Sequence, residues 1–252
     1  MIEIIKKAIE AAFRFAGLEV KVIRRSKGYE IGLFPLIGKE LSPLQLAIPR
    51  LLAEDKNFFF VQIGANNGVR SDSLRYFILK YHLKGLLVEP LTDMFKELKE
   101  NYATENQIFF ENVAIANADG EASIFRFRAD APVPDYVHGM ATFDRSKIRR
   151  MALKWRLNRF VEEVRVRSVT FERLLNEHNI KAISLLQIDT EGFDLEVIKM
   201  ALKSGVLPTL INYEFINLSL KDRSESCRLL NEHGYSLLHG RSDTLAVLKT
   251  KD

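Results

Sequence analysis

The sequence has a single cysteine, Cys227. No disulfide can therefore join two parts of the chain, and a metal site built on thiolates is excluded. A reducing compartment is the natural setting. Long apolar runs are also missing: none reaches the roughly 18 residues that span a bilayer. Between Met1 and Gly17, Lys6, Lys7, Glu10 and Arg14 are scattered among the apolar residues. A signal peptide would put its charges first and a clean apolar stretch after them, so a cytoplasmic protein is expected. Excess charge is small, +4 with a pI of about 9.0, which is too weak alone to argue for nucleic acid. Internal repeats and low-complexity stretches are absent. What remains is ordinary globular material, 252 residues with 47% hydrophobic and 28% charged. That length allows one large domain or two small ones, and folding can bury about 70–75% of the unfolded surface.

Residues 2–16 carry Ile2, Ile5, Ile9, Ala12, Phe13 and Ala16 at helical spacing. This amphipathic helix packs on the core or, helped by Arg24, Arg25 and Lys27, lies on a membrane surface through residues 2–27. Gly28, Gly32, Pro35, Gly38 and Pro43 read as loop punctuation, and a short helix is expected at 44–54. Residues 1–55 are thus expected to be a helical and loop extension before a domain at 56–252. From residue 58 short apolar runs recur, at 58–63, 85–89, 107–113, 183–189 and 207–215. Helical stretches at about 71–82, 91–103, 170–179 and 193–204 lie between most of them. Continuous apolar strands alternating with helices predict a doubly wound, mostly parallel α/β sheet. Tyr235–His239 and Thr244–Lys249 read as a closing β-hairpin. Between strands three and four lies an insertion, about 121–169, expected as strand, helix over 144–163, and strand from Val164. An excursion of that length on one side of a sheet suits a lid or substrate-binding element.

Four blocks carry chemistry. Gln62-Ile63-Gly64-Ala65-Asn66-Asn67-Gly68 follows a strand and precedes a helix. Small residues there let a ligand approach the backbone, and a helix N-terminus offers free N–H groups. The spacing is G-x-x-x-G, with Asn66 where a dinucleotide fingerprint has its second glycine, and no Gly-Lys-Ser/Thr follows, which excludes a P-loop. A bare tight turn is the alternative. Glu89, ahead of Pro90, ends the next strand about 20 residues on, the place for a carboxylate that accepts both hydroxyls of a ribose. Asn112-Val113-Ala114 ends strand three with small, apolar residues that could face a flat base. Asp189, Glu191 and Asp194 crowd the carboxyl end of strand four, where open α/β sheets hold ligands; Glu191 or Asp194 can instead cap the following helix. With no matching His pair, no dedicated metal site is expected.

In order and spacing these blocks resemble the FkbM family of S-adenosylmethionine-dependent methyltransferases. The stretches that carry the resemblance are Val61 to Gly68, Val88-Glu89-Pro90 and Ile188-Asp189-Thr190-Glu191-Gly192. Val164 to Phe171 is similar to the family's strand before its fourth motif. Gln62 stands where many members have an acid, and Glu172 where an Asp is more usual. The resemblance implies a Rossmann-like, seven-stranded class I methyltransferase sheet. It implies bound S-adenosylmethionine, S-adenosylhomocysteine as product, and O-methylation of sugars, glycans or small natural products. It also implies roles. Gly64, Ala65 and Gly68 would line the methionine part, Glu89 would hold the ribose, and Asn112, Val113 and Ala114 would sit near the adenine, with Gln62, Asn66 and Pro90 also binding the cofactor and Asp189 at the cofactor–acceptor boundary.

Three residues are candidates for the base that takes the acceptor's proton: His138 in a turn-like stretch of the insertion, Asp189, and Glu214 at a neighbouring strand end. The remaining histidines read as structural. The insertion is also the most basic stretch, with Arg145, Lys147, Arg149, Arg150, Lys154, Arg156, Arg159, Arg165 and Arg167. These form a solvated face, a rim attracting an anionic acceptor, or an RNA contact with Trp155, Phe143 and Phe160 as stacking surfaces. Nucleic acid is disfavoured, because no separate RNA-binding module is visible. A non-catalytic binding protein on a methyltransferase fold is the third alternative.

Overall fold

The computed structural model describes residues 18–25, 28–35 and 42–249. The helix expected at 2–16 and much of the proposed membrane segment fall outside them. Strands β1 (Leu18–Arg25) and β2 (Gly28–Pro35) pair antiparallel, Leu18 opposite Pro35 and Arg25 opposite Gly28. The loop expected from residue 26 is thus a strand over much of its length. A two-stranded ribbon leaves room for Gly28, Gly32 and a terminal Pro35, which a central strand would not. Helix α1 (Pro43–Glu54) begins with a capping box, the Ser42 hydroxyl accepting from the Gln45 N–H and the Gln45 side chain from that of Ser42. Its Leu44 and Ile48 are buried against Phe58 and Phe60, so this helix shares the core of the domain that follows.

The central sheet contains β3 (Phe59–Ile63), β4 (Lys84–Val88), β5 (Ile108–Glu111), β10 (Leu185–Ile188), β11 (Leu210–Glu214), β12 (Tyr235–His239) and β13 (Asp243–Leu248). Their order is β12-β13-β11-β10-β3-β4-β5, seven strands of which β13 alone runs against the rest. The expected hairpin is present, but its second strand, not its first, neighbours β11. Fully buried strands explain the continuous apolar runs. One face packs on α1, α2 (Arg75–Tyr81) and α3 (Thr92–Asn101) through residues such as Phe77, Leu98 and Tyr102. The other packs on α5 (Phe171–Glu177), α6 (Asp194–Lys203) and α7 (Leu220–Glu232) through Phe171, Ile198 and Leu230. This is the doubly wound α/β class predicted.

The insertion is a second sheet. After β5 the chain leaves the main sheet at Asn112 and Val113 and forms β6 (Ala114–Ile115), β7 (Gly120–Phe127), β8 (Ala141–Thr142) and β9 (Val161–Val169), in the order β6-β9-β7-β8. Helix α4 (Arg145–Trp155) packs Ile148 and Ala152 onto this unit beside Phe127, Ala131 and Val137. The helix expected to reach 163 stops at Trp155. Arg156 is left-handed there (φ 59°), and its N–H returns to Ala152 and Leu153 carbonyls. From Val161 the alternating residues pair with β7 instead, because a cross-strand ladder outweighs the local helical preference.

Candidate functional site

A cavity of about 390 Å³ opens at the carboxyl ends of β3, β4, β10 and β11, walled on its far side by the insertion. It lies at the topological switch point, where β3 is flanked by β4 and β10 and the chain changes direction along the sheet.

The glycine loop is fixed by strand-end contacts. The Gly64 and Ala65 N–H groups both donate to the Val88 carbonyl at 3.0 Å, and the Asp189 N–H donates to the Ile63 carbonyl at 2.9 Å. This draws β3, β4 and β10 together so tightly that a Cβ on Gly64 (φ +81°) would stand 1.8 Å from the Asp189 carbonyl oxygen. Gly68 is small for another reason: a Cβ there would meet the Tyr102 ring at 2.3 Å. Gly68 therefore seats the loop on α3 and does not line the cavity.

Glu89 is buried, 3% exposed. Its Oε2 accepts the Asn66 N–H at 2.8 Å and its Oε1 accepts the Leu91 N–H at 2.9 Å. Each oxygen keeps a further lone pair. Burial pushes this carboxyl up to about 7, against the pull of those two N–H groups. Behind it, buried Arg126 grips Asp93 with two bonds of 2.7 and 2.8 Å. The Asn112 side chain does not face the cavity; its Nδ2 donates to the Glu89 and Pro90 carbonyls at 2.7 and 3.1 Å and so holds their turn. Pro90, Val113 and Ala114 do line the cavity.

Gln62 lies between Gly64 and the helix side. Its Nε2 donates to Asp72 at 3.4 Å, while its Oε1 is buried without a hydrogen-bond partner, the one such side-chain atom among the described residues. Asp72 is itself saturated, receiving the Leu74 and Arg75 N–H groups and the Tyr102 hydroxyl. Burial nonetheless raises its pKa. Asp72 also lines the cavity, beside Gln62.

Opposite Glu89, Asp189, Glu191 and Glu214 bring carboxylate oxygens within 4.8 Å of one another. Burial, then the charges of Glu191 and Glu214, raise Asp189 well above the usual carboxylate range. Burial and Glu191 raise Glu214 to about 7. The Asn217 side-chain amide donates to both Glu191, at 2.9 Å, and Glu214. Such a trio has the donor chemistry of a hard-cation site, but Lys147 already neutralises one member, its Nζ 2.7 Å from Glu191 Oε2. Asp194 is structural: fully buried, it receives the Thr190 hydroxyl, the Gly192 N–H and the Glu214 N–H. It thereby ties the loop after β10 to the end of β11.

The insertion supplies the remaining wall through Tyr136, Met140, Thr142 and Phe143. It is fastened at Glu191, whose carbonyl receives the Thr142 hydroxyl at 3.1 Å and Lys147 at 2.9 Å. His138 is not among the lining residues, although Tyr136 and Gly139 on either side of it are. Of the basic stretch, none lines the cavity; its lining cation is Arg70. Arg165 and Arg167 instead pair with Glu121, Glu111 and Glu177. The wall residues, Arg70 and Asn217 carry no sequence motif. The fold of the insertion alone brings the wall residues there.

The donor set fits S-adenosylmethionine. Glu89 offers two acceptors to a diol, Val113 and Ala114 an apolar slot, and Gln62 Oε1 an unmatched acceptor for an ammonium. The cavity also has the size of a small-ligand pocket.

A family model, the methyltransferase FkbM domain, matches residues 62–237. No curated protein matches the chain. Among solved structures, the chain resembles a methyltransferase FkbM from Methylobacillus flagellatus KT, with 13% identity and a TM-score of 0.47. The match covers 75% of this chain but 43% of that one, so this chain spans less than half its length. It also resembles a precorrin-6y C5,15-methyltransferase from Geobacter metallireducens GS-15, with 10% identity, a TM-score of 0.41, and 84% and 93% of the two chains covered. A third is a ribosomal protein L11 methylase from Lactobacillus delbrueckii subsp. bulgaricus, with 11% identity, a TM-score of 0.40, and 83% and 79% covered. At these identities the likenesses say nothing of what this chain acts on.

Proposed function

Because the chain belongs to the FkbM methyltransferase family, we propose that it is an S-adenosylmethionine-dependent O-methyltransferase acting on a hydroxyl of a sugar, glycan or other small molecule. One observation carries the acceptor side: Asp189 and Glu214, both raised above the usual carboxylate range by burial and Glu214 to about 7, share a cavity with the glycine loop and Glu89. A base is most effective with a pKa near the working pH. A chamber lined by Asp189, Glu191 and Glu214 also favours a neutral acceptor over a phosphate chain, which speaks against RNA.

When bound, the cofactor supplies a methyl group on a sulfonium, already activated for in-line displacement. The chain's own work is positioning, worth roughly 7–11 kcal/mol when the geometry is right, and removal of one proton. Glu89 would hold the ribose hydroxyls, and the Gly64–Asn66 backbone would hold the methionine end. The insertion wall, latched through Lys147 and Glu191, excludes water. The Asp189–Glu214 pair accepts the hydroxyl proton. A single cysteine suits a reducing cytoplasm as the setting.

Transfer of labelled methyl from S-adenosylmethionine to a panel of sugars and glycans tests the reading. With a working acceptor, the rate should rise with pH through about 7 and level off above, because the base must be unprotonated. Asp189→Asn and Glu214→Gln should each cut kcat by about 10²-fold or more, while His138→Ala stays within about twofold. A collapse with His138→Ala and a normal rate with Glu214→Gln would move the base to the insertion. Label appearing on RNA but on no sugar would replace the acceptor class.

A further inference from the structure

Helix α4 has a face that the cavity does not use. From Arg145 to Arg156 its sequence contains six cationic residues and no acid. Ile148 and Ala152 face inward onto the insertion, and Lys147 turns to Glu191. Arg145, Arg149, Arg150, Leu153, Lys154 and Arg156 are all exposed. Helical spacing sets Arg145, Arg149 and Leu153 in one row and Arg150 with Lys154 in the next. Among the described residues this outer face has one ion pair, Arg150 with Asp144 at 3.7 Å. Leu153, 62% exposed, stands in the middle of this field of cations.

The partner is therefore anionic, and two features say which kind. Four aromatic rings of this region already have neighbours. Arg145 lies 5.7 Å over Phe125, Arg128 and Arg159 lie 5.9 and 4.8 Å from the Phe160 ring, and Trp155 packs 5.9 Å from Phe127. Single-stranded nucleic acid needs free ring faces on which bases can stack, and each of these rings already carries a neighbour on one side. An exposed leucine ringed by cations suits a headgroup layer instead, where the apolar group enters and the charges meet anionic lipid. We propose that the outer face of α4 docks on an anionic phospholipid surface. Phe143 lines the cavity and α4 starts at Arg145, so docking would hold the cavity within about 16 Å, one helix length, of the headgroups.

The test is co-sedimentation of the full chain with phosphatidylcholine vesicles, with and without about a third phosphatidylglycerol. Binding to the anionic vesicles alone, weakening as salt shortens the screening length, is the expected result. The double change Arg149→Glu with Lys154→Glu should reduce partitioning about thirtyfold or more, the weight of two cations lost at an anionic surface. Melting temperature and S-adenosylmethionine binding should stay unchanged. Leu153→Ser should weaken vesicle binding several-fold and leave retention on heparin as it was. Equal binding to neutral vesicles, no binding, or anionic binding untouched by the double variant would overturn the proposal. So would preference for polyuridylate over vesicles, or a Leu153→Ser chain that binds vesicles as the parent does.

Discussion

Gly64→Ala should cost the fold about 3 kcal/mol. The position has φ +81° and its Cβ would fall 1.8 Å from the carbonyl oxygen of Asp189. A left-handed alanine costs about 1–2 kcal/mol by itself, and overpacking of this kind adds about 1–3 more. Backbone cannot swing aside as a side chain does: the Asp189 N–H is bonded to Ile63 and the Gly64 N–H to Val88. For a domain of this size the melting temperature should drop by roughly 6–12 °C. Gly205→Ala is the control. It has a similar φ of +78° but nothing within 4 Å of its Cβ, so only the conformational cost, about 1–2 kcal/mol, remains. Equal losses at both positions would show that β3 and β10 do not press together as described.

Glu89→Gln should raise the dissociation constant for S-adenosylmethionine tenfold or more, about 1.5–3 kcal/mol for a hydrogen bond to a charged group. The amide keeps one acceptor oxygen but turns an NH₂ toward one of the two backbone donors that Glu89 now satisfies. Calorimetric titration measures it, and an unchanged constant would remove Glu89 from the ribose. The same substitution has an opposite signature in the ligand-free protein. Glu89 titrates near 7 in the fold against an ordinary 4.5. Between those values the native state holds a proton the unfolded chain has released, so its contribution to stability is present below pH 4.5 and lost as pH rises through about 7. The variant, with nothing to ionise, should lose less melting temperature than the parent across that window.

The sequence showed the sheet and one half of the site clearly. Gln62 to Asn66, Glu89, Asp189 and Glu214 stand at strand ends, and buried parallel strands announce themselves by unbroken apolar runs. The other half was hidden because it depends on long-range pairing. Tyr136, Thr142 and Phe143 reach the cavity because β7 pairs with β9 and Lys147 finds Glu191 across 44 residues. Neither contact leaves a local pattern. Gly68 and Asn112 were recognisable as special positions, but in the structure they hold up the loop and the turn from behind. His138 sits beside wall residues without joining them. Strand β2 was hidden by its glycines, which a two-stranded ribbon tolerates.

The antiparallel seat of β13 between β11 and β12 bears on how the protein is made. Glu214 ends β11, and its pairing partner in the sheet is Asp243. During synthesis that partner leaves the ribosome about thirty residues after Glu214 does. Until then β11 has a bare edge on that side, and α7 and β12 emerge first without a neighbour to receive them. The half of the pocket built on Gly64 and Glu89 can form early. The half carrying Glu214 waits for the β13 strand to slide into place, so a ribosome-bound chain should form the proposed nucleoside-holding surface before the proposed Glu214 proton acceptor.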